Sequence, residues 1–210
     1  MDSTLPNLFR NIFGENGLIR ITVKTSNQGA SNGASTLPNY ITNNFKINMN
    51  SYYSDATTLS KAASLLHEAM HANLMFLYQR AVRNNDSIAK IQIETDFLLF
   101  FDSAKIAGNP NLDYIGIMNQ NQIGQHQIMT FQNVRSAMAN TLFNFAKKLD
   151  PNTAVTLNYC KSLAWTGTSD SKGYKNLSNY EKEEIQNIIS GERGNNPDQS
   201  NFNQIGKPCP

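Results

Sequence analysis

Leu66-His67-Glu68-Ala69-Met70-His71-Ala72 is the stretch from which the rest of the chain is best read. It carries the pattern H-E-x-x-H, with Ala62-Ala63-Ser64-Leu65-Leu66 leading into it and Ala72-Asn73-Leu74-Met75-Phe76 leading out. On a helix, residues four apart stand one turn above each other on one face. Two imidazoles at that spacing reach one zinc ion. The glutamate after the first of them lies beside the ion rather than on it, where it can take a proton from a water held there. Neither Pro nor Gly occurs from Thr57 to Arg83, and strong helix formers fill the span, which predicts a helix of about seven turns. Asp55, Thr57 or Thr58 caps its start, and Asn84-Asn85 ends it. A plain core helix has little reason to carry His, Glu and His within five residues, because burying polar groups without partners is costly.

Working outward, Leu18–Lys24 alternates and is rich in β-branched residues, so it reads as a strand. Ser26–Pro38 is rich in Gly, Ser and Asn and reads as a loop. A second strand is placed at Asn44–Asn50, where Phe45, Ile47 and Met49 alternate with polar residues. After the motif helix, a second long helix is expected over Asp86–Ala107, ended by Gly108-Asn109-Pro110-Asn111, with a polar loop from Ile115 to Gln125. Gln127–Leu149 reads as a third helix, with Ile128, Phe131, Val134, Met138, Leu142 and Phe145 at helical spacing. A fourth runs from about Thr153 to Trp165, followed by a turn at Trp165–Thr168. A last short helix covers Asn179–Ser190, with Ser178 and Glu181 spaced as a capping box. The expected fold is α+β: mostly helical, with a small N-terminal β-sheet packed on the motif helix. One domain spans 1–190, and 191–210 forms an irregular C-terminal tail.

Composition narrows the function. The 210 residues carry 40% hydrophobic and 16% charged side chains, against about 25% charged in a typical domain. Asn and Gln take the place of the missing charge. The net charge of +2 implies no general attraction to nucleic acid or to an anionic membrane. No apolar run approaches the roughly 20 residues of a membrane-spanning helix. The N-terminus lacks the basic and apolar regions of a signal peptide, so the chain is expected to be cytosolic, exported without a cleaved signal, or one domain of a larger protein, the last being preferred. Cys160 and Cys209 are too far apart for a C-x-x-C site. They form either one disulfide pinning the tail, which would suit an oxidising compartment, or two separate thiols.

A catalytic zinc has three protein ligands and one open position. The chain has three histidines, two of them in the motif. The remaining one, His126, stands at the start of the third expected helix, where a loop-to-helix junction can aim it back at the motif. It is the expected third ligand. Glu94 and Asp96 on the second expected helix are its rivals, with Asp102 a weaker one. Glu94 also reads as a solvent-facing partner of Lys90.

These features together resemble the zincin metallopeptidases, and among them the small bacterial SprT-like and minigluzincin-type domains. The resemblance follows the order of elements over roughly Asn39–Ser190. A strand comes first (Asn44–Asn50), then the acidic and Thr residues before the helix (Asp55, Thr57, Thr58), then Leu66–Ala72. Gln125-His126-Gln127-Ile128-Met129 opens a later helix, and Leu163–Thr168 and a short terminal helix follow. The specific part is H-E-x-x-H. No Gly-x-x-His continuation follows it, which sets the chain apart from the metzincins, and the gap before His126 is longer than SprT-type proteins show.

The resemblance implies a zinc-dependent hydrolase of peptide bonds, with zinc on His67, His71 and His126 and Glu68 as general base toward a zinc-bound water. In such enzymes the strand before the motif helix commonly lines the cleft as an edge strand. Phe45, Ile47 and Asn48 are therefore expected to bind substrate by backbone pairing. Tyr114, Tyr159 and Tyr174 are candidates for a second oxyanion donor, and Trp165 reads as a packing residue. The expected partner is a peptide or protein substrate. Two further readings stand beside this one. The first is a secreted toxin or effector protease held in check by a cognate inhibitor or immunity protein. The second is a zinc-stabilised binding module without turnover, against which Glu68 argues, because a structural site has no need of it.

Overall fold

A computed structural model of the chain describes residues 19–29, 34–39, 44–83, 126, 129–194 and 205–206. It is an α+β fold, with three strands followed by helices. The strands are β1 (Arg20–Ser26), β2 (Ala34–Asn39) and β3 (Asn44–Asn50). A single 3-10 turn at Ser51–Tyr53 leads toward α1 (Thr58–Arg83). Then come α2 (Gln132–Leu149), α3 (Leu157–Leu163), α4 (Lys172–Lys175) and α5 (Asn179–Arg193). No helix among the described residues is long and apolar enough to cross a membrane.

The sheet has the order β1-β3-β2. β3 pairs in parallel with β1 and antiparallel with β2. Its alternation holds at Phe45 and Ile47, which are buried on either side of the exposed Lys46, but not at the end of the strand, where Met49 is half-buried and Asn50 is buried. Two expectations fail here. The stretch Ser26–Pro38 is not loop throughout, because β2 occupies Ala34–Asn39 in spite of its Pro38. Proline is tolerated on an edge strand, where its missing N–H takes no ladder bond from a neighbour. And β3 is the central strand of the sheet, with both edges taken, rather than an edge open to a ligand.

α1 begins where the sequence suggests. The Thr57 hydroxyl accepts the Ser60 N–H at 3.1 Å, satisfying one of the unpaired donors of the first turn. The same hydroxyl donates to the carboxylate of Glu192, and the Thr57 N–H donates to the Glu192 carbonyl at 2.9 Å. The end of α5 is thereby fastened to the start of α1. Leu59, Ala63, Met70 and Leu74 supply the apolar stripe of α1, and they pack on Met138 and Leu142 of α2, Leu163 of α3, and Ile185 and Ile189 of α5. β2 and β3 cover another side of the same helix.

Two of the later helices are shorter than their sequence patterns, and the last is longer. α2 starts at Gln132 because Phe131 is extended (φ −60°, ψ 139°), which separates it from Thr130, whose N–H donates to the His126 carbonyl at 3.2 Å. Phe131 and Phe145, expected in the core, are 40% and 37% exposed. α3 starts at Leu157, capped by the Thr156 side chain, and not near Thr153. α5 has the expected capping box between Ser178 and Glu181, and it runs to Arg193 before Gly194 ends it with φ 75°. The one-turn α4 was not anticipated. The helix expected at Asp86–Ala107 and the loop at Ile115–Gln125 lie outside the described residues.

Candidate metal centre

α1 carries His67 and His71 one turn apart, and their Nε2 atoms converge to 3.0 Å. His126 reaches the same point from the turn before α2. Its ring centroid lies 5.1 Å from each of the other two. One ligand atom from each of the three lies within 4.8 Å of the others, and all three residues are buried. Among the described residues this is the one group of His, Cys, Asp or Glu side chains close enough to share a cation. Nitrogen donors around a tetrahedral zinc at roughly 2.0–2.1 Å stand about 3.3 Å apart, so the cluster has the right scale.

The electrostatics suit a cation. Burial, together with the neighbouring His71 and His126, holds the His67 imidazole well below its ordinary pKa of 6.5; the Thr166 backbone opposes this and Arg193 adds to it. The ring is therefore neutral at neutral pH, the form that binds metal. Its Nδ1 is buried and has no well-formed hydrogen bond. Three buried imidazoles that converge on one point offer ring-nitrogen lone pairs to a divalent ion. The site thus fits a metal ion on His67, His71 and His126.

Glu68 follows His67 and is 7% exposed. It faces β2, where the Thr36 hydroxyl lies 2.6 Å from Oε2 and 3.1 Å from the Glu68 carbonyl oxygen. Burial raises the Glu68 pKa and the Thr36 hydrogen bond partly offsets the rise. A carboxyl raised toward the working pH is a better match for proton transfer.

The residues expected to bind substrate by backbone pairing do not stand on a free strand edge. Phe45 and Ile47 are 1% and 0% exposed, which makes them core residues. Asn48 is half-buried, and its carbonyl accepts from Gln28 Nε2 at 2.9 Å. Both backbone edges of β3 are paired. The strand beside Glu68 that forms a sheet edge among the described residues is β2. Its Gly- and Ser-rich approach hid it, although Ser35-Thr36-Leu37 in isolation has strand character.

Of the oxyanion candidates, the Tyr159 hydroxyl donates to Glu192. Tyr174 is buried edge-on against Trp165 and accepts from Gln186 Nε2 at 2.8 Å. Tyr114, Glu94, Asp96 and Asp102 lie outside the described residues. Cys160 is a buried free thiol whose pKa burial pushes up to about 11, and Cys209 lies outside the described residues.

Two contacts of the centre have no sequence signature. Asp170 Oδ1 lies 2.6 Å from His126 Nδ1. Gly167, with φ 79°, lies so close to the His67 ring that a Cβ there would stand 2.7 Å from Cε1. Comparison of the chain with family models, with curated proteins and with solved structures finds no significant match.

Proposed function

We propose that this protein is a zinc-dependent metallopeptidase of the zincin type, with His67, His71 and His126 as metal ligands and Glu68 as general base. The observation that carries the reading is the convergence of three buried histidines on one point, with the buried Glu68 next to the first of them in sequence. Neutral imidazoles suit zinc among the common divalent ions. Three protein ligands among the described residues match the pattern of a catalytic centre, where a closed structural one has four. Cys160 is not part of the group.

A bound zinc ion supplies Lewis-acid polarisation of the scissile carbonyl and lowers the pKa of water toward ~7. Glu68 takes the proton from the attacking water and returns it to the leaving amine. Thr36 holds Oε2, so Oε1 is the oxygen left for this transfer. β2, a sheet edge among the described residues and in contact with Glu68 through Thr36, suits an extended peptide added as a further strand.

Metal removal tests the reading. The chain stripped with a chelator is expected to lose cleavage of a peptide library and to regain it with one equivalent of zinc. A chelated protein that cleaves as well as the untreated one contradicts the proposal.

A further inference from the structure

The turn that follows α3 touches two of the three histidines, and its own construction is rigid. The Thr168 hydroxyl donates to the Trp165 carbonyl at 2.8 Å, and the Ser171 hydroxyl donates to the Thr168 carbonyl at 2.7 Å. Thr168 and Ser171 are both fully buried. Trp165 anchors one end, with its ring packed on Tyr174 and covered by the Arg135 guanidinium at 4.3 Å. Ser171 caps α4 at the other end. In α4, Gly173 packs so tightly on Thr130 that a Cβ would collide with it, and the Thr130 N–H donates to the carbonyl of His126 at 3.2 Å. The turn is therefore braced against the element that carries His126.

We infer that the segment Thr166–Asp170 is a positioning element for the metal centre, with Asp170 orienting His126 and Gly167 seating His67. The inference rests on the metal-binding reading above. An ionised carboxylate only accepts hydrogen bonds. At 2.6 Å it therefore fixes the proton of a neutral His126 on Nδ1, leaving the Nε2 lone pair for a cation. A carboxylate behind a ligating histidine also raises the basicity of the ring, and loss of such a partner typically weakens metal affinity about 10–100-fold. Gly167 acts by shape. Its φ of 79° favours glycine, and a side chain would press within 2.8 Å of His67 Nε2. These two residues set two ligands from outside α1, while the helix itself fixes only the spacing of His67 and His71.

The test uses the full chain and two probes, zinc affinity by chelator competition and the visible absorption of the cobalt(II) form. Asp170→Ala is expected to bind zinc about 10–100-fold more weakly and to alter the cobalt spectrum, with far-UV circular dichroism unchanged. Asp170→Glu is expected to recover most of the affinity. Gly167→Ala is expected to weaken zinc by at least about tenfold, as an indirect partner of a ligand. If Asp170→Ala does not fold, Asp170→Asn, which keeps the shape and loses the charge, reads the same effect. The inference is overturned if the folded Asp170 variants bind zinc within threefold of wild type with an unchanged cobalt spectrum, while His126→Ala loses binding. A wild-type chain that takes up no stoichiometric zinc overturns the metal centre itself, and this inference with it.

Discussion

Glu68 and Glu192 are both buried carboxylates, 7% and 0% exposed, yet their surroundings differ. Glu192 is surrounded by donors. Its Oε1 accepts from the Tyr159 hydroxyl and from the N–H groups of Ile205 and Gly206, each N–H at 3.0 Å, and its Oε2 accepts from Thr57. Glu68 has one donor to its carboxylate among the described residues, the Thr36 hydroxyl. A carboxylate whose lone pairs are all used holds the chain together. One with spare lone pairs among the described residues, following the first of three converging histidines, is the carboxylate that the proposed mechanism uses for proton transfer. The difference also separates two parts of α1: Glu192 secures its start through Thr57, and Glu68 lies in its middle.

The largest effect is expected at the saturated carboxylate. Glu192→Ala strands a tyrosine hydroxyl, a threonine hydroxyl and two backbone N–H groups, and should cost at least about 3 kcal/mol, read as a lower midpoint in urea. Thr36→Val removes the one donor to the Glu68 carboxylate found among the described residues. It should lower kcat/KM about tenfold, the scale of one hydrogen bond to a charged group, while zinc affinity stays at the wild-type value. An equal loss of zinc would show that Thr36 supports the cluster rather than the base.

Ser178→Ala probes an exposed carboxylate, Glu181, for contrast. Its hydrogen bonds from Ser178, first through the side chain and then the backbone, lower its pKa from 4.5. A lowered folded-state pKa means that the stabilisation is present above 4.5 and is lost as pH falls through the folded value. Loss of the cap should cost about 1 kcal/mol at pH 7, with the gap to wild type narrowing in acid. Smallest of all, Glu68→Gln should leave stability within about 1 kcal/mol of wild type, since one donor alone is disturbed. A stability loss matching that of Glu192→Ala would erase the contrast between the two carboxylates.

The parts of the molecule legible in the sequence are those set by local chemistry. The H-E-x-x-H helix, strand β3 and the capping box at Ser178 depend on periodicity and on contacts within four residues, so they appear where the pattern puts them. Within the cluster, His126 was reached by counting histidines. Strand β2 was missed because its Gly- and Ser-rich approach reads as loop, and only pairing with β3 makes it a strand. The role of β3 was misjudged for a related reason: alternation reveals a half-buried strand but not whether it is central or at an edge. Asp170, Gly167 and Glu192 act through partners 44, 100 and 135 residues away, and no local pattern records such contacts.

The most direct test of the central claim is a peptide-library digest of Glu68→Gln beside wild type, each first shown to hold one equivalent of zinc. A general base contributes at least about a hundredfold, so wild type should cleave and the variant should fall at least that far at equal zinc content. A Glu68→Gln protein that cleaves as fast as wild type would contradict the account.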